Sequence, residues 1–116
     1  MPVTKREAHY GSPKELINYI LDEKHNGEKV GQVSSINCNP ETALLEFKDI
    51  QRKYNMKGTR VAYHIIQSFS LKDDITEEQA NEIGKRLCEE LYPDYQCIIS
   101  THIDKGHIHN HICLNA

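Results

Sequence analysis

At 116 residues and 38% hydrophobic content, the chain is long enough for one domain, or part of one, with a modest core. No apolar run approaches a membrane span, and the opening MPVTKREAHYG lacks the apolar centre of a secretory signal. That counts against a membrane-spanning helix and predicts a cytoplasmic protein. The net charge of −3 counts mildly against a nucleic-acid partner, but it is unevenly spread: residues 1–60 carry ten Lys/Arg against eight Asp/Glu, and residues 61–116 four against nine. Most acids of the second half fall between Asp73 and Asp94, which reads as a helix with a solvated face.

In chain order, residues 2–8 are compatible with a short strand. Ser12-Pro13-Lys14-Glu15 is a helix start, with a capping serine, a proline suited to the first helical position and a glutamate that closes a capping box. This helix is expected to run to about Lys24. Its apolar stripe is Leu16, Ile17, Ile20 and Leu21, with Tyr19 at the stripe's edge. Val30 to Cys38 reads as a strand. Asn39-Pro40 repeats the cap-then-proline signal for a second helix, which ends near Asn55. Arg60 to Phe69 is rich in β-branched and aromatic residues, without Gly or Pro, and predicts a central strand.

Thr76 caps a third helix, with Gln79 in the capping-box position and Pro93 beyond its end. Its expected stripe is Ala80, Ile83, Leu87, Cys88 and Leu91. Tyr95 to Ile103 is an apolar strand, Asp104-Lys105-Gly106 a turn, and a histidine-rich strand follows. The order predicts an α+β domain with a largely antiparallel central sheet of four to five strands and helices on its faces. The four cysteines (Cys38, Cys88, Cys97, Cys113) form no Cys-x-x-Cys pair, so reduced, mostly buried thiols are expected.

The final stretch, HIDKGHIHNHICLNA, holds four of the seven histidines. His107, His109 and His111 recur at every second position and share one face of a strand. Imidazole suits divalent transition ions and acid–base work. Two histidines two apart on one strand, with His102 on its neighbour, form a facial set of three nitrogens that leaves positions open. Asp104, two residues after His102, can fix a ligand tautomer. For His102 to share the face of His109 and His111 it must pair with an odd-numbered residue. A four-residue loop that pairs it with His107 does this, and a three-residue loop does not unless a bulge intervenes. His64 and Ser68 share a face of their own strand. Two metal readings stay open on the residues alone: a structural zinc that borrows the Cys113 thiolate, and a catalytic ion that polarises a phosphate.

Three segments resemble the MobA-type mobilisation relaxases of the HUH endonuclease superfamily. They are Thr101–Asn115, with a His, an Asp two later, a His-x-His pair and a trailing Asn; AYHIIQSF, residues 62–69; and LINYI, residues 16–20. The helix TEEQANEIGKRL is similar too. The resemblance implies nicking and strand transfer of single-stranded DNA at a transfer origin of a mobile element. Tyr19 would be the nucleophile, with Tyr10 its nearest rival, and the product a 5′-phosphotyrosine link. His102, His109 and His111 would hold a Mg²⁺- or Mn²⁺-type ion, with Zn²⁺ as a further option. Asp104 would orient His102, His107 is an alternate ligand, and His64 and Ser68 would line the site as DNA or phosphate contacts. The family's domain continues beyond this motif, so a sheet truncated at its C-terminal side is expected, with an edge that invites a homodimer. Accessory mobilisation proteins are further expected partners. The competing readings are a non-catalytic DNA-binding or assembly fragment and a zinc-stabilised interaction module.

Overall fold

Five strands and three helices follow one another in a computed structural model that describes residues 3–10, 13–21, 29–53, 60–70, 74–104 and 107–115. They are β1 (Val3–Tyr10), α1 (Pro13–Leu21), β2 (Lys29–Ile36), α2 (Ala43–Lys53), β3 (Arg60–Phe69), α3 (Glu77–Leu91), β4 (Cys97–Asp104) and β5 (His107–Asn115). The strands form one sheet in the order β1-β3-β5-β4-β2, and every neighbouring pair is antiparallel. The α+β expectation holds. The strand at the centre is the histidine strand β5, with β3 beside it.

The sheet is covered on both faces. The front core joins Leu16, Ile17 and Ile20 of α1 and Ala43 and Phe47 of α2 to Ala62, Ile98 and Cys113 of the sheet. The back core joins Cys88 of α3 to Ile65, Cys97, Ile99, Ile112 and Leu114. Ile98, Ile99 and Ile112 are fully buried, and truncating any one to alanine would cost about 2–5 kcal/mol. All four cysteines are free thiols, and three of them are buried. No helix among the described residues is long and apolar enough to cross a membrane.

The capping box of α3 forms as expected: Gln79 N donates to Thr76 Oγ1 at 3.1 Å, and Thr76 N donates to Gln79 Oε1 at 2.9 Å. Several details differ. The Asn39-Pro40 pair makes a turn, closed by Thr42 N donating to Asn39 O at 3.1 Å, and α2 begins only at Ala43. The Asn39 side chain accepts from Glu41 N at 3.0 Å, so it caps the turn and not the helix. The expected ends of α1 and α2, at Lys24 and Asn55, lie outside the described residues, and β4 starts at Cys97, two residues late.

The buried stripe of α3 is also rotated. Ala80, Asn81, Gly84 and Cys88 face inward, whereas Ile83 and Leu91 are exposed. Close approach explains this. A Cβ at Gly84 would lie 2.7 Å from Asn110 Nδ2 and 3.0 Å from Ile99 Cγ2, so only glycine lets α3 lie this near the sheet. The amides on the back face supply the rest. Asn81 Nδ2 donates to Thr101 Oγ1 at 3.0 Å, Thr101 Oγ1 donates to Asn110 Oδ1 at 2.7 Å, and Asn110 Nδ2 donates to Gln67 Oε1 at 3.0 Å and Ala80 O at 2.6 Å. A buried chain of amides in which donors meet acceptors outweighs the burial of two more aliphatic side chains.

Candidate active site

The histidines gather on the front face because of how β5 is paired. Across β4–β5, His102 lies opposite His109, Ser100 opposite His111, and Asp104 opposite His107. His102 therefore pairs with an odd-numbered residue, as a shared face requires. The partner is His109 and not His107, because the ladder continues to Asp104–His107 and leaves two residues between the strands. Across β3–β5, His64 lies opposite Cys113, Ile66 opposite His111, and Ser68 opposite His109. The even positions of β3 and β4 and the odd positions of β5 thus share one side.

His111 is the hub. The ring of His102 lies 4.3 Å from it between centroids, tilted by 39°. His64 stacks at 5.2 Å, and its Nε2 is 3.0 Å from His111 Nδ1. His109 is nearly parallel to His111 at 6.4 Å. Tyr19, half-buried on α1, meets His64 and His111 edge-on at 5.7 Å and 5.8 Å. A cleft of about 430 Å³ opens beside these rings, lined by Glu7, Glu15, Leu16, Tyr19, His64 and Ile66.

His102 is fully buried, and its Nε2 lies 2.6 Å from Ile20 O and 3.1 Å from Ser100 Oγ. A carbonyl oxygen can only accept, so Nε2 carries the hydrogen and donates to Ile20, which makes Nδ1 the lone-pair nitrogen. This bond fastens β4 to α1 one residue past Tyr19. The tyrosine is therefore held over the histidines by the helix stripe and by one of the histidines themselves.

Of the residues expected at the site, Tyr19, His64, His102, His109 and His111 come together, and Ser68 is half-buried opposite His109. His107 is exposed at the end of β5. Asp104 belongs to β4, but its carboxylate, like the side chain of Tyr10, lies outside the described side chains. Cys113 shares the face of His111 but is packed into the front core, where burial pushes its thiol pKa up. That favours a neutral packing group over a thiolate ligand. Ser100 and the Ile20 carbonyl were not anticipated. The period of two on β4 points to Ser100, two residues before His102, whereas nothing local marks the carbonyl.

The donor set suits a divalent ion in kind: three imidazoles on two paired strands, with Nε2 of His102 and Nδ1 of His111 each engaged by a neighbouring group. Ligand histidines typically have their second nitrogen held in this way. Among the described residues, no three His, Cys, Asp or Glu side chains are already grouped in a metal-holding arrangement.

The family model of the MobA/VirD2-like relaxase nuclease domain matches residues 19–116, from the tyrosine on α1 through the histidine strand. The chain belongs to the relaxase family. It is 37% identical over 113 residues to protein rlx of Staphylococcus aureus, covering 97% of this chain and 33% of that relative. It is 37% identical over 84 residues to the group II intron-interrupted relaxase LtrB of Lactococcus lactis subsp. cremoris, covering 72% of this chain and 15% of LtrB. To protein TraI of Escherichia coli it is 29% identical over 105 residues, covering 87% and 14%. This relaxase-family chain thus spans about a third of the rlx length and less of the others.

Proposed function

We propose that the chain carries the nicking and strand-transfer centre of a relaxase acting on single-stranded DNA at a transfer origin, with Tyr19 as nucleophile. The observation that carries this reading is the edge contact of Tyr19 with His64 and His111, on a helix tied to His102 through Ile20 O. The phenol oxygen forms a bond to phosphorus as the bond from phosphorus to the 3′-oxygen breaks. The phenol proton ends on that 3′-oxygen. The products are a 5′-phosphotyrosine and a free 3′-OH. One phosphodiester replaces another, so the step can reverse and the strand can be rejoined.

A phenol with an ordinary pKa near 10 is a poor nucleophile at neutral pH, so the site has to favour charge moving onto phosphate oxygens. In this reading His102, His109 and His111 hold a divalent ion, which when bound supplies a Lewis acid for the developing phosphorane charge. All-imidazole ligation suits Mn²⁺ or Zn²⁺ better than Mg²⁺, which prefers oxygen. Asp104 and Ser68 are assigned to ligand orientation and to the DNA backbone. The expected role of α1 is to hold the phenol, and that of the front core is to keep α1 in place.

The test uses labelled single-stranded oligonucleotides that span the transfer origin of the element carrying the gene, incubated with Mn²⁺. A covalent protein–DNA adduct and a released 3′-OH fragment are expected, with the adduct lost at least a thousandfold in Tyr19→Phe. An adduct that survives this substitution rules out Tyr19 as nucleophile. Oligonucleotide binding without any adduct favours the non-catalytic DNA-binding reading.

A further inference from the structure

We propose that His64 is a positioning residue for His111: its Nε2 accepts the Nδ1 hydrogen of His111, fixing His111 in the tautomer whose lone pair sits on Nε2. This rests on the reading that His111 is a ligand. The two nitrogens are 3.0 Å apart, so one donates to the other. If His64 donated, Nδ1 of His111 would be the acceptor and the buried Nε2 would carry the hydrogen, unable to meet a cation or to accept from a ligand. Only donation by His111 leaves it able to coordinate. The stacking of the rings at 5.2 Å, with 27° between planes, and their half-buried and buried positions keep the pair from drifting apart.

The placement explains an oddity of the sequence. His64 lies on β3, 47 positions before His111 and outside the histidine-rich tail. It reaches the hub because β3 borders β5 directly. From β1, Glu7 lies opposite His64, and Lys5 and Glu7 form an ion pair at 2.8 Å on the exposed edge. From α1, Tyr19 packs edge-on to the His64 ring. The imidazole is thus bracketed by a carboxylate-bearing strand, the tyrosine and the hub histidine. It plays for His111 the part that Ile20 O plays for His102, and both pairings leave one nitrogen of the ligand ring as the acceptor.

The experiment compares wild type with His64→Gln and His64→Leu. Glutamine can place a carbonyl oxygen near the position of Nε2 and accept from His111, whereas leucine fills the space and cannot. Mn²⁺ affinity is read by electron paramagnetic resonance, and the tautomer of His111 by long-range ¹H–¹⁵N correlation on the metal-free protein. The expected results are an Nδ1–H tautomer for His111 in wild type, Mn²⁺ affinity weakened 10–100-fold in His64→Leu, and affinity within about threefold of wild type in His64→Gln. An Nε2–H tautomer in wild type, or equal Mn²⁺ affinity in His64→Leu and wild type, overturns the inference. If wild type binds no Mn²⁺, the metal reading of the site fails instead, and the tautomer alone decides the role of His64. If His64→Leu does not fold, the tautomer and His64→Gln still decide it, because loss of affinity in the glutamine variant counts against the inference.

Discussion

The two faces of β5 solve opposite problems with neighbouring residues. On the front, His109 and His111 join His102 and His64 in a cluster of imidazoles beside a cleft. On the back, Asn110 joins Gln67, Asn81 and Thr101 in a chain of hydrogen bonds with 8% or less of each residue exposed. An amide oxygen can only accept and an amide nitrogen only donate, so the Thr101 hydroxyl between two amides has one good arrangement and the back network holds the helix to the sheet. An imidazole can exchange its donor and acceptor nitrogens, so on the front a fixed acceptor, Ile20 O, sets the roles of His102, and in the proposed reading His64 sets those of His111. Polar burial makes structure on the back and, in the proposed reading, poises chemistry on the front.

The sharpest way to break this contrast is Asn110→Ala. It takes the donor from Gln67 Oε1 and the acceptor from the Thr101 hydroxyl in a buried place and is expected to cost about 3 kcal/mol in urea unfolding. A loss under 1 kcal/mol would mean that the back network does not hold the sheet. On the front, His102→Ala is expected to cost about 2–3 kcal/mol, since it empties a buried site and releases Ile20 O. His102→Gln keeps a donor for that carbonyl and should regain at least half of the stability, but it supplies no imidazole nitrogen, so Mn²⁺ binding should not return. Recovery of both in the same variant would make His102 a purely structural bolt.

Gly84→Ala probes how closely α3 lies against the amides, and the crowding of Asn110 should cost about 1–3 kcal/mol. The smallest effect is alkaline. Burial, with Glu46 nearby, raises the Cys38 thiol from the ordinary 9.0 to about 11, and burial raises the Cys113 thiol as well. The folded state thus favours protonated thiols. That stability is intact below about pH 9 and is lost as pH rises toward 11. The urea midpoint should fall over this window, and Cys38→Ala should make the fall shallower.

Local signals carried most of the fold. The bounds of β3, the Thr76–Gln79 capping box and the antiparallel hairpin all follow from propensity, caps and turn residues. The rotation of α3 was not visible, because hydropathy counts Asn81 as a surface residue and gives Gly84 no weight. Their burial depends on Thr101, Ile99 and Asn110, which arrive from other strands. The site divides the same way. Alternation within β5 shows the shared face of His107, His109 and His111. The bond between His64 and His111 depends on β3 and β5 becoming neighbours across an intervening helix and strand. Pairing between distant segments leaves no mark on either one.

The strict alternation of β5 makes its alignment with β3 and β4 a matter of parity. A shift by a single residue would turn Asn110 toward the tyrosine and both flanking histidines toward Gly84 and Ile99. The amide would lose its three partners in the same stroke that took the histidines out of their cluster. A sheet paired in that register would lose its imidazole cluster and its stability together, and the strand proofreads its own placement.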